Sequence, residues 1–138
     1  MIKAFASVIL TGKNFYPEEL LKRLPGIHYR SSHKPRVFSK EIGEILPHGG
    51  AIINHPSNLG KPGNEIAWED MLSFLLEHHQ TLRECGVQDI DLTLIFFYQD
   101  SGGAGWHIEA EDIQKLAKLG IGLSIDWYQI DDEESYKD

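Results

Sequence analysis

One cysteine, Cys85, stands in the whole chain. No internal disulfide and no cysteine-based zinc cluster can form, so a reducing compartment, the cytoplasm, is the expected setting. Long apolar runs are missing as well. Nothing approaches the roughly 18 consecutive apolar residues that a membrane helix needs, and no membrane partner is expected. The apolar stretch Ile2 to Leu10 stops at Thr11-Gly12-Lys13-Asn14 without a small-residue cleavage pattern, so it reads as a buried strand and not as the core of a signal peptide.

Catalytic signatures are equally scarce. No serine lies in a Gly-x-Ser-x-Gly elbow, and Ser101-Gly102-Gly103-Ala104-Gly105 lacks the lysine and hydroxyl of a phosphate loop, which leaves it a turn. Cys85 falls at the end of a predicted helix, the wrong end of the dipole to support a nucleophilic thiolate. His78 and His79 are adjacent and point roughly 100° apart on a helix, so they are not the i, i+4 pair of a helical zinc site. Of the carboxylate pairs Glu69/Asp70, Asp89/Asp91 and Glu111/Asp112, which could serve acid-base work or bind a cation, the first and last are explained by their places at helix starts. We therefore assign no catalytic residue, no metal ligand and no cofactor. The rival reading is a small metal- or ligand-dependent enzyme that gathers His28, His33, His48 and His55 from the loop-rich region.

What the chain does carry is charge sorted by position. Residues 1–63 hold nine Lys/Arg against four Asp/Glu, and residues 64–138 hold four against seventeen, so +5 and −13 make the net −8. Such a field steers oppositely charged partners. Direct nucleic-acid binding has the wrong overall balance. A basic protein partner has the right one.

A length of 138 residues suits one domain with one core, and 41% hydrophobic with 25% charged residues is ordinary globular composition. We expect a single α+β domain over residues 1–130 and an acidic, fraying tail over 131–138. Residues 4–10 show no polar alternation, which predicts a central strand covered on both sides. Pro17, Glu18, Glu19 and then Lys22, Arg23 and Pro25-Gly26 mark a short helix whose Leu20, Leu21 and Leu24 should face the sheet. Between Ile27 and Gly63, Pro and Gly punctuate short strand candidates at 27–29, 36–39, 44–46 and 51–54. The spacing of Trp68, Leu72, Leu75, His79 and Leu82 predicts a long helix from about Ala67 to Cys85. A second central strand is expected at 90–98, with Trp106-His107-Ile108 as a short one. A helix over 110–119 ends at Gly120, and a half-covered strand follows from Ile121, with Ser124, Asp126 and Tyr128 on its wet side. Residues 4–29 and 92–125 echo each other as strand, short helix, strand, which suggests two crossover units in one sheet.

Three stretches together carry a resemblance: the first strand with Tyr16-Pro17-Glu18-Glu19-Leu20 and Gly26-Ile27, the helix from Ala67-Trp68 to Leu82, and Leu116-Ala117-Lys118-Leu119-Gly120-Ile121-Gly122-Leu123-Ser124-Ile125-Asp126-Trp127-Tyr128. Over roughly residues 4–130 the chain resembles a family of small bacterial domains of unknown function that includes immunity proteins of polymorphic-toxin and contact-dependent-inhibition systems. The resemblance implies an α+β domain that acts by binding a partner protein, the cognate toxin domain.

The expected architecture is a mixed or antiparallel sheet of five to six strands, with 4–10, 90–98 and 121–130 at its heart and about three helices mainly on one face. The expected function is a non-enzymatic cytoplasmic binding protein that sequesters a basic, nuclease-type toxin. Its partner contacts are expected at Asp126, Tyr128, Asp131, Asp132, Glu133 and Glu134. A homo-oligomerising structural domain is the other alternative, and the sequence leaves the oligomeric state open.

Overall fold

A computed structural model of the chain describes residues 2–54, 68–98 and 107–129. Among these described residues ten elements follow one another: β1 (Ile2–Gly12), α1 (Pro17–Arg23), β2 (Tyr29–His33), β3 (Val37–Ser39), β4 (Glu44–Leu46), β5 (Gly49–Asn54), α2 (Trp68–Glu84), β6 (Asp89–Tyr98), α3 (Ala110–Leu119) and β7 (Ile121–Gln129). Five strands form a mixed sheet in the order β2-β5-β1-β6-β7, and β3 and β4 form a separate two-stranded hairpin. The expected α+β single domain is what this chain adopts.

β1 is the middle strand, antiparallel to β5 on one side and to β6 on the other, while β6 and β7 run parallel through the α3 crossover. Because side chains alternate along a strand, even-numbered residues of β1 and β6 point to one face and odd-numbered ones to the other. The even face holds Ala6, Val8, Leu10, Ile90, Leu92, Leu94 and Phe96. These join Leu20 of α1, the α2 stripe Trp68, Met71, Leu72, Leu75 and Leu82, and Leu116 of α3 in one core. All three helices contribute to this core and lie on its side of the sheet. At about 25 cal/mol per Å² this apolar burial is the main stabilising term.

The odd face carries no helix among the described residues, and here the expectation for β1 fails. Ile9 is 36% exposed. An apolar residue on an open face is indistinguishable in sequence from one under a second layer. Three smaller corrections follow. Leu21 of α1 is exposed, because a seven-residue helix has room for only one buried ridge. Residues 107 and 108 form no strand. β7 ends the described strand order instead of sitting at its heart. The echo between residues 4–29 and 92–125 has a structural counterpart. β2 is antiparallel to β5, which is antiparallel to β1, so β1-α1-β2 joins two parallel strands as β6-α3-β7 does, but with β5 inserted between them.

α1 starts at Pro17 with Glu18 and Glu19 in its first turn and Lys22 and Arg23 in its last, each favouring the dipole end it occupies. α3 ends at Gly120 in the left-handed conformation, whose N–H bonds back to the Ala117 and Leu116 carbonyls. Tyr29 pins β2 to α1 by donating its hydroxyl to the Pro17 carbonyl at 2.7 Å. Burial pushes its phenol up to about 12. The neutral form is thus favoured in the folded state, and its contribution is complete below pH 10, the unfolded value, and lost as pH rises toward 12. Allowing for its partial exposure, roughly 1–2 kcal/mol of stability should disappear over that window. Urea unfolding of the wild type at pH 9 and pH 11.5 checks this, and Tyr29→Phe should flatten the slope.

Candidate functional site

The open face of the sheet is built from alternate residues of four strands. β1 supplies Phe5, Ser7 and Ile9, β6 supplies Asp91, Thr93, Ile95 and Phe97, β7 supplies Ser124, Asp126 and Tyr128, and Ile52 of β5 lies across from Ile9. At its centre Asp91 accepts a hydrogen bond from the Thr93 hydroxyl at 2.6 Å and another from the Ser124 hydroxyl at 2.9 Å. Those two hydroxyls fix one negative charge in the sheet surface. A Cβ at Gly122 would stand 3.3 Å from the Asp91 carboxylate, so the absence of a side chain there keeps the space in front of it open.

Further along the strands three rings make a ledge. Phe97 and Tyr128, register partners on β6 and β7, stack with centroids 5.5 Å apart and planes 25° from parallel. Phe5 meets Phe97 edge-on at 5.7 Å and 82°. Tyr128 remains 50% exposed. Asp126 precedes it by two residues on the same side of β7, so the carboxylate and the phenol ring stand about 7 Å apart along one strand. The Asp126 carboxylate has neither a hydrogen bond nor an ion pair with a described residue.

Two other surface features stand apart from this face. The β3–β4 hairpin pairs Phe38 with Ile45 and exposes both, together with Ile42, by 58–64%. Arg36 holds it. This is the one non-glycine residue with positive φ among those described, at 62°, and its guanidinium donates to the Tyr16 hydroxyl at 2.6 Å and to the Lys13 carbonyl at 3.4 Å. A left-handed arginine costs on the order of 1 kcal/mol, offset here by tying the hairpin to the β1–α1 turn. On the helix side, a cleft of about 420 Å³ opens between the α1–β2 connection, β5 and α2, with Leu24, Ile27, Ile53, Met71 and Phe74 beside His28 and His78.

The described histidines of the rival reading form no metal-binding group. His28 lines that cleft on the helix side, whereas the His33 ring lies against Gly50 on the open face. His48 is exposed and His55 is outside the described residues. No three His, Cys, Asp or Glu side chains gather in metal-binding geometry among the described residues. His79, expected on the buried stripe of α2, is only half-buried and faces the Leu119 carbonyl at 2.9 Å.

Of the expected partner contacts, Asp126 and Tyr128 lie together, exposed, on the open face of β7. Asp131, Asp132, Glu133 and Glu134 are outside the described residues. Asp91, met in the sequence only as half of the pair Asp89/Asp91, completes the face with Thr93, Phe97 and Phe5, which the sequence reading missed. A signal for part of this exists: Asp89, Asp91 and Thr93 recur at every second position of β6, the period of a strand with one wet side. Phe5 and Phe97 carry no such mark. No helix among the described residues is long and apolar enough to cross a membrane. Comparison with family models, with curated proteins and with solved structures gives no match.

Proposed function

We propose that this protein is a non-enzymatic binding module that captures a basic partner protein, as an immunity protein captures its toxin domain, and that the open face of the sheet is its docking surface. The observation that carries the reading is the composition of that face. Large apolar and aromatic side chains alternate there with carboxylates, and by register Asp89, Asp91 and Asp126 fall on it. A surface of this kind supplies apolar contact at its centre and steers a positively charged partner toward it. The surplus of acid over residues 64–138 gives the chain the net negative charge that such a partner would complement.

The Asp91 carboxylate on this face is engaged by two hydroxyls, which suits a fixed charge presented to a partner.

The test pairs the purified protein with a basic, nuclease-type toxin domain and follows association by stopped flow. An on-rate above about 10⁷ M⁻¹s⁻¹ at low salt, falling at least about tenfold by 0.3 M salt, is expected for steered docking. Charge reversal at Asp131 and Asp132 should slow association and flatten the salt dependence. A rate that ignores both salt and these charges would remove acidic steering from the account.

A further inference from the structure

We infer that the ledge formed by Phe97 and Tyr128 beside Asp126 is a receptor for an arginine side chain presented by the partner. The inference rests on the reading of the open face as a site for a basic protein and names the chemistry of its central contact.

The geometry matches a guanidinium in two respects. Tyr128 keeps half its surface exposed while Phe97 stacks behind it at 5.5 Å, so the phenol ring is held upright instead of lying flat on the sheet. Phe5, edge-on to Phe97 at 5.7 Å, closes the back of the stack. A ring braced in this way offers a fixed π-face at low entropic cost to a planar cation. Next, Asp126 stands on the same side of the same strand, about 7 Å along it. A guanidinium resting on the ring can therefore turn its fork of N–H donors toward the carboxylate, which has no other described partner to give up. Asp91, held by Thr93 and Ser124, lies one strand inward and six residues back from Phe97, about 20 Å along β6, so it adds to the field that draws the cation in and does not touch it.

Arginine fits this better than lysine. Its planar, weakly hydrated cation stacks and pairs at once, whereas an ammonium is a compact point charge that must shed tightly held water to approach a ring.

The experiment uses the full chain and two blocked peptides, four repeats of Gly-Ser-Arg and four of Gly-Ser-Lys, with binding followed by backbone amide shifts in ¹H–¹⁵N spectra. The arginine peptide is expected to bind about fivefold to tenfold more tightly than the lysine peptide, with the largest shifts at Phe97, Ser124, Asp126 and Tyr128. Tyr128→Leu should abolish that preference, Tyr128→Phe should retain it, and Asp126→Asn should weaken both peptides by about fivefold. The substituted positions are exposed, and an unchanged melting temperature confirms that each variant folds. If both peptides bind equally and Tyr128→Leu changes neither, the arginine receptor is wrong while the acidic docking face stands. If neither peptide binds the wild type at low salt, both proposals fall.

Discussion

Gly49→Ala is expected to destabilise the protein by about 3 kcal/mol or more, enough to lower its melting temperature by roughly 10 °C. A Cβ built on Gly49 overlaps the carbonyl oxygen of Phe15. The same crowding recurs at two neighbours, where a Cβ on Gly86 meets the Asn14 carbonyl oxygen and one on Gly12 meets the Gly86 carbonyl oxygen. Gly86 also has φ of 96°. The turn after β1 is thus packed backbone to backbone between the start of β5 and the end of α2, and this brings the fully buried Phe15 ring into the core. An obstructing carbonyl belongs to the main chain and cannot swing aside like a side chain, so relief requires moving a strand. Gly26→Ala is the internal control. A Cβ there meets nothing within 4 Å, and thermal unfolding of that variant should differ from wild type by less than about 0.5 kcal/mol. Equal behaviour of the two variants would show that the close approach at Gly49 is absent in solution.

Arg83→Met should cost about 2–4 kcal/mol, although Arg83 lies at the edge of the core and touches no other charged side chain. Its guanidinium is spent on backbone. Nη2 donates to the Leu119 carbonyl at 3.0 Å, Nη1 donates to the Val87 carbonyl at 3.3 Å and also to that of Gln88, and Nε donates to the His79 ring at 3.1 Å. One planar cation thereby joins the end of α2, the entry to β6 and the last residue of α3, where the carbonyls form the negative end of the helix dipole. Gly120 clears the way, since a Cβ there would stand 3.3 Å from Nη2. Arg83→Lys keeps the charge but loses the fork, so it should recover less than half of the loss. Urea unfolding measures the energy. Amide exchange locates it, with acceleration expected in the last turn of α3 and the first residues of β6 and little change across β5. If the open face is the docking surface proposed above, Arg83→Met should also blunt capture of a basic partner without touching that face, because α3 sets the crossover that delivers β7 with Asp126 and Tyr128.

The legible parts of this fold are those where one residue type has one physical use. Pro17 begins α1, Gly120 ends α3 and Gly86 follows α2, because a fixed φ or a left-handed turn narrows the choices. The apolar spacing of α2 identified Trp68, Leu72, Leu75 and Leu82 as its buried side, and alternation in β7 placed Ser124, Asp126 and Tyr128 together on the other side from Ile121 and Leu123. Less legible were Ile9 and Phe38, apolar residues with no partner layer above them. Hydrophobicity reports a preference for burial, and it cannot report whether the rest of the chain supplies a cover. Leu21 shows the same limit within α1.

Period, caps and charge order alone therefore determined the class of fold, the helices and the wet side of β7, since these depend on neighbours a few residues away. Which strands lie side by side was settled only in three dimensions. Pairing β1 with β6 and β6 with β7 is what sets Phe5, Phe97 and Tyr128 ring to ring and brings Ser124 to Asp91. Those contacts join residues 31 to 92 positions apart, and a period counted along the chain carries no information over such a span.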